Sequence, residues 1–229
     1  MKRTVLIVLT NRDKLGDTEM PTGVCLSEAA HPWAALCAAG LEVELGSPHG
    51  GRPRLTAIDP KDPRQAAFLA DASMSVMFDA TVPLTVVDPS RYCALWLAGG
   101  RGALWDFPDN KEIGRIGRQI LDEGGVVAAV GHGGAGLLPL LDDQGGPLIS
   151  GKRVAAFSDQ EEAAVGLRDV LPFSLQERLQ TAGALYEHVP SWAQFALVDG
   201  DFITGQNPQS VRATAQLAVE VLENRGLLG

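Results

Sequence analysis

The chain has 229 residues, 45% of them hydrophobic and 21% charged, a balance that supports a substantial buried core and excludes a disordered chain. Its formal net charge of −9, with no basic stripe, argues against a nucleic-acid partner, whose phosphate backbone is bound by clustered Lys and Arg. Three widely separated cysteines, Cys25, Cys37 and Cys93, give neither a disulfide framework nor a CxxC metal knuckle, so a reducing, cytoplasmic setting is expected.

The opening MKRTVLIVLTNRD carries an apolar run of about seven residues, far below the roughly 20 that span a bilayer. It reads as a buried first strand over Thr4 to Thr10, and no membrane partner is expected. A long polar loop follows. From Ser27 the segment SEAAHPWAALCAAG predicts a helix with a Ser-Glu start and Gly40 as its stop, and LEVELGSP predicts a second strand. Strand, helix and strand form a βαβ unit with a right-handed crossover. The Gly- and Pro-punctuated GGRPRLTAIDPKDPR is an excursion, a candidate pocket wall or dimer contact, before a helix over about Gln65 to Met77.

RYCALWLAGG then reads as a buried strand ending in Gly99 and Gly100. A helix over Lys111 to Glu123 and a strand over VVAAV follow. After the turn at Gly131 come a short helix through about Leu141, a strand near Arg153 to Phe157, helical segments around Glu161 and Leu175, and a final helix from about Gln209 to Asn224. The alternation predicts one α/β domain over residues 1–229, a doubly wound sandwich with a mainly parallel central sheet. No internal repeat or linker interrupts it.

Five segments, TGVCLSEAAHPWAALCAAGLEVELGSPHGG, YCALWLAGGRGALWDFPDN, VVAAVGHGGAGLL, VAAFSDQEEAAVGL and VDGDFITGQNPQS, lie in the order found in the PfpI/ThiJ superfamily. The chain resembles the chaperone-like, glyoxalase III branch of that superfamily over most of residues 4 to 217. The resemblance implies a flavodoxin-like sandwich related to class I glutamine amidotransferase domains, and a homodimer. It also implies a nucleophile elbow of Cys-His on the VVAAVGH strand and turn, with a Glu from the first helix beside the thiol. Here the position expected to be Cys is Gly131, whereas the His is kept as His132 and the Glu as Glu28. An acidic partner for His132 is implied within FSDQEE, as Glu162 or as Asp159. Gly99 and Gly100 match a pair whose amides hold a substrate oxyanion, and the residue after them is Arg101 where the family usually has His.

A Gly at the elbow keeps a fold that needs positive φ while deleting the thiol, so thiol-dependent glyoxalase or hydrolase chemistry is expected to be absent. Cys25, one turn before Glu28, is the one credible substitute thiol, set against the ordinary reading of a buried Cys. Cys37 and Cys93 read as core. Glu28 in an apolar setting would have a raised pKa, and with His132 it could move protons without a covalent intermediate. Hydration, dehydration, isomerisation or cyclisation of a small carbonyl or polyketide-like substrate, with no cofactor, is therefore the leading reading. The alternatives are a glyoxalase III-like enzyme, converting methylglyoxal to lactate, that is inactivated at the Cys position, and a pseudoenzyme that binds a metabolite or protein through the same pocket. His31 and Trp105 are further candidates for the pocket wall, and His49 reads as solvated. A metal held by Glu28, His31 and His132 lacks any dense ligand spacing, so no metal is expected. The GGRG and GHGGAG runs lack the spacing of a nucleotide fingerprint. DQEE has a second reading as the solvated start of a helix. Trp33, Trp96, Trp105 and Trp192 read as core or interface residues rather than a stacking platform.

Overall fold

The fold was analysed from a computed structural model that describes residues 4–228. The first strand, β1 (Thr4–Val8), is buried on both faces: Val5 and Ile7 pack into one core cluster and Leu6 and Val8 into the other. The chain then forms the short β2 (Val24–Cys25), α1 (Leu26–Ala38) and β3 (Glu42–Ser47). Gly40, at φ +82, makes the turn between them. Next come β4 (Leu55–Thr56), α2 (Pro63–Ala70), α3 (Ala72–Asp79) and β5 (Val82–Pro83). The centre of the chain supplies β6 (Tyr92–Leu97), α4 (Ala103–Asp106), α5 (Lys111–Asp122) and β7 (Val126–Val130). The last third holds β8 (Arg153–Val154), α6 (Asp159–Val165), α7 (Leu175–Thr181), β9 (Leu185–Tyr186), β10 (Ala196–Asp199), β11 (Phe202–Gly205) and α8 (Val211–Asn224).

Seven strands form the main sheet in the order β10-β11-β7-β6-β1-β3-β5, parallel throughout except for the β10–β11 hairpin at one edge. One face is covered by α1 and α8 and the other by α5, the flavodoxin-like α/β arrangement expected. The chain winds outward from β1 through β3 on one side and through β6 and β7 on the other. That reversal opens a crevice beyond the carboxyl ends of β1 and β6, where open α/β sheets bind ligands.

Several expected elements differ. The helix expected over Gln65 to Met77 is two helices, because Asp71 leaves helical geometry (ψ 121) and its carboxylate accepts the Met74 N–H to start α3. The strand expected over Arg153 to Phe157 stops at Val154, since β8 pairs only with β9; beyond it Ala155 N–H donates to Thr204 Oγ1. After Gly131 there is a 3₁₀ helix, Gly131–Leu137, rather than a helix to Leu141, and Pro139 follows it. The last helix begins at Val211, behind a 3₁₀ turn over Pro208–Ser210. Cys37, read as core, is exposed on α1, while Cys93 is buried. Ala38 beside Cys37 is exposed as well, so composition alone did not show which side of the helix is inward.

Candidate active site

Glu28 lies in the first turn of α1 and is 1% exposed. Two groups of the β6 segment hold it. Its Oε2 accepts the Gly99 N–H at 2.8 Å, and its backbone carbonyl accepts the Trp96 indole N–H at 3.0 Å. That carbonyl is available because the residue four positions on is Pro32, which has no N–H to return. Burial pushes the Glu28 carboxyl up to about 8, against the opposing pull of the Gly99 amide, Cys25 and Arg101. It is therefore largely protonated at neutral pH and able to give or take a proton there.

Gly131 ends β7 with φ +54, the left-handed conformation that glycine adopts freely. A β-carbon at this position would stand 3.2 Å from Glu28 Oε1 and 3.4 Å from Oε2. Any side chain placed here would thus emerge against the protonated carboxyl. Gly100, at φ +115, approaches the opposite wall so closely that a β-carbon would lie 2.1 Å from the Gly23 carbonyl oxygen.

His132 is buried, and its Nε2 bonds Glu162 Oε1. The other Glu162 oxygen, Oε2, accepts from Arg101 Nε at 3.3 Å. Burial lowers the His132 pKa even though Glu162 opposes it, so the ring is neutral at pH 7 and Nε2 is its donor. Glu162 is held below the usual carboxylate value by His132 and Arg101, although burial acts the other way. With Nε2 committed to Glu162, His132 is a positioned wall residue, and Glu28 is the group free to exchange protons.

A cavity of about 310 Å3 joins these groups. Cys25, Glu28, Gly100, Arg101 and His132 line it together with Thr22, Phe157 and Trp192. Gly99 contributes through its amide, and Gly131 through the space beside Glu28. Cys25 is present, but burial and the neighbouring Glu28 push its thiol up to about 12, and its Sγ lies 3.3 Å from Ser27 Oγ. A thiol held in that state is a poor nucleophile.

Three expected residues lie elsewhere. His31 sits in a separate cleft between α1, α2 and α8, one helical turn on from Glu28, where its Nε2 lies 2.5 Å from Asp62 Oδ2. Trp105 packs under the Arg12 guanidinium, 5.8 Å from its ring centroid, outside the cavity. Asp159 accepts from Ser174 Oγ at 2.7 Å and does not reach His132, which leaves Glu162 as the partner. DQEE does begin a capped helix, α6, but Glu161 and Glu162 are buried rather than solvated. Phe157, which stacks on His132 at 4.4 Å, went unread in the sequence although it immediately precedes the capping Ser158.

An α/β sandwich with a glycine elbow at a parallel strand end and a buried Glu beside it defines the class, and comparison with known proteins then places the chain within it. No protein-family model matches. The glutathione-independent glyoxalase hsp3101 of Schizosaccharomyces pombe is 30% identical over 228 residues, covering 90% of this chain and 89% of that protein. Among solved structures, the Rapid Encystment Protein 24 KDa of Francisella tularensis superposes with a TM-score of 0.93 at 35% identity, over 96% of this chain and 99% of that one. Glyoxalase III from Candida albicans superposes at 0.87 and 28% identity, over 95% and 96%. A ThiJ/PfpI domain protein from Brachyspira murdochii shares the fold at 0.67 and 15% identity, over 97% of each chain. The chain belongs to the glyoxalase III/Hsp31 group of the DJ-1/ThiJ/PfpI superfamily. Among the described residues, no helix is long and apolar enough to cross a membrane.

Proposed function

We propose that this chain carries a glyoxalase III-type site for small 2-oxoaldehydes in which Gly131 closes the covalent route and Glu28 remains as the proton-transfer group. The observation that carries this reading is the geometry at position 131: a side chain there would start 3.2 Å from Glu28 Oε1. A cysteine at that point could add through sulfur to the aldehyde carbon. Glu28, in its ionised form, would then take the proton from that carbon and return it to the neighbouring carbon. The resulting thioester would be hydrolysed by water, giving lactate from methylglyoxal with no external oxidant. The relatives' names as glutathione-independent glyoxalases support the substrate class. A cytoplasmic homodimer without a cofactor belongs to the same proposal.

The experiment is a methylglyoxal-to-lactate assay on the chain and on Gly131→Cys. Lactate formed only by the variant supports the reading, and none from either protein removes it. A second reading is favoured by the Glu28 pKa of about 8, which suits non-covalent acid-base work on a small carbonyl compound at neutral pH. It expects the unmodified chain to catalyse hydration or enolisation of such a compound, measured as proton exchange by NMR, and expects Glu28→Gln to abolish it.

A further inference from the structure

We infer that the cavity selects a ligand with a planar aromatic group, and that Trp192 is the residue that selects it. The inference rests on the reading of the site as one for 2-oxoaldehydes and their 2-hydroxy acid products, and it names the aryl members of that class.

Among the described residues only two non-glycine residues have φ in the left-handed region, Ala57 at 52° and Trp192 at 67°, and both line this cavity. A bulky residue keeps such a conformation only where its surroundings impose it. They do so here. The Trp192 N–H donates to Glu161 Oε1 at 3.0 Å, and the same oxygen accepts from Asn207 Nδ2 at 2.7 Å. Glu161 Oε2 takes the Ser158 N–H and hydroxyl at 3.0 and 2.9 Å, so this fully buried carboxylate has donors on both oxygens. Asn207 Nδ2 also donates to the Ala193 carbonyl at 2.8 Å, and the Gln206 amide brackets Val189 at its N–H and C=O. Neither Glu161, Gln206 nor Asn207 takes part in the chemistry of Glu28. What this buried polar network fixes is the backbone that carries one indole ring.

Trp192 is 41% exposed, so it is not a core residue. It stands edge-on to Phe157 at 5.7 Å and 66°, and Phe157 in turn stacks on His132 and lies 5.7 Å from the Arg101 guanidinium. An aromatic wall therefore runs from the open side of the cavity to the residue beside Gly131, with a fixed positive charge along it. Leu15, Pro21, Val165 and Leu167 complete an apolar surround. A volume of about 310 Å3 falls at the lower end of what holds drug-sized ligands, and it leaves most of the space unfilled around a three-carbon aldehyde. An aryl ring fills that space and gives Trp192 a stacking partner, while Arg101 favours the product carboxylate.

The test titrates the intact chain calorimetrically with mandelate and with lactate, the aryl and methyl 2-hydroxy acids. Mandelate is expected to bind at least about tenfold more tightly than lactate, the scale of one good aromatic contact. Trp192→Phe should keep most of that margin. Trp192→Gly, which accepts the same φ without strain, should cut it to about threefold or less while the thermal midpoint is retained. Equal affinities, a margin that survives in Trp192→Gly, or no binding of either acid would overturn the inference. The companion measurement is turnover of phenylglyoxal against methylglyoxal by Gly131→Cys. No turnover of either alongside an intact mandelate margin removes the glyoxalase reading and leaves the aromatic selection standing. Turnover of methylglyoxal without any aryl preference does the reverse.

Discussion

Two buried carboxyls stand in opposite protonation states, Glu28 on the wall of the cavity and Glu162 behind the His132 and Arg101 that line it. Burial outweighs the pull of the Gly99 amide, Cys25 and Arg101 on Glu28 and leaves its pKa raised, whereas Glu162 is bonded directly by an imidazole and a guanidinium and stays ionised. The contrast shows that partners rather than burial decide the charge, since burial pushes both upward. It also separates roles: the carboxyl without a directly bonded guanidinium can change its proton, and the one bonded to both Arg101 and His132 cannot without dismantling its surroundings.

The strongest way to break this comparison is to remove the mobile proton. In the Gly131→Cys background, Glu28→Gln should lower kcat/KM for methylglyoxal by roughly 10²–10⁴, the usual worth of a general acid-base group, in a lactate-formation assay. The pH dependence of folding sharpens it next. Between the ordinary carboxylate value and about 8, folded Glu28 keeps a proton that the unfolded chain has released, so its contribution makes stability fall as pH rises through that window. Glu28→Gln should therefore gain on the parent from pH 5 to pH 8, by on the order of several kcal/mol in urea titrations. Glu162 has the opposite sign: its folded pKa is lowered, so its stabilisation is present above the ordinary carboxylate value and is lost as pH falls through the folded one. Glu162→Ala should cost about 3 kcal/mol at pH 7 by leaving Arg101 without its partner, read from the same titrations.

Smaller effects follow. Gly131→Ala should cost about 1–2 kcal/mol, because alanine must adopt φ +54 and its methyl meets Glu28, and the thermal midpoint should fall. Alkylation at pH 8, followed by mass spectrometry, should label exposed Cys37 well before Cys25, whose thiol remains protonated, and before buried Cys93.

Much of this arrangement was legible in the sequence. The alternation of apolar runs with helical segments announced the parallel core, and Glu28, His132 and the Gly99–Gly100 pair were readable from their motifs. What escaped depends on side-chain direction and distant partners. Asp159 and Glu162 stand one helical turn apart and look equivalent on paper, yet only Glu162 reaches His132. His31 shares a helix with Glu28 but faces Asp62 of α2, a pairing across 31 positions with no local signal. Trp192 read, with the other tryptophans, as core or interface. Its exposure depends on a backbone angle that Glu161, from another element, imposes.

Pro32 has a wider consequence than an interrupted helix. By withholding one amide hydrogen it hands the Glu28 carbonyl to Trp96, while Gly99 takes the side chain, so the working residue of α1 is registered to β6 at both its backbone and its tip. The helix is thereby indexed like a key against a single strand, and sliding or turning it would break both bonds together. An alanine at position 32 would instead bring a helical amide to the same carbonyl, in competition with the buried indole N–H of Trp96.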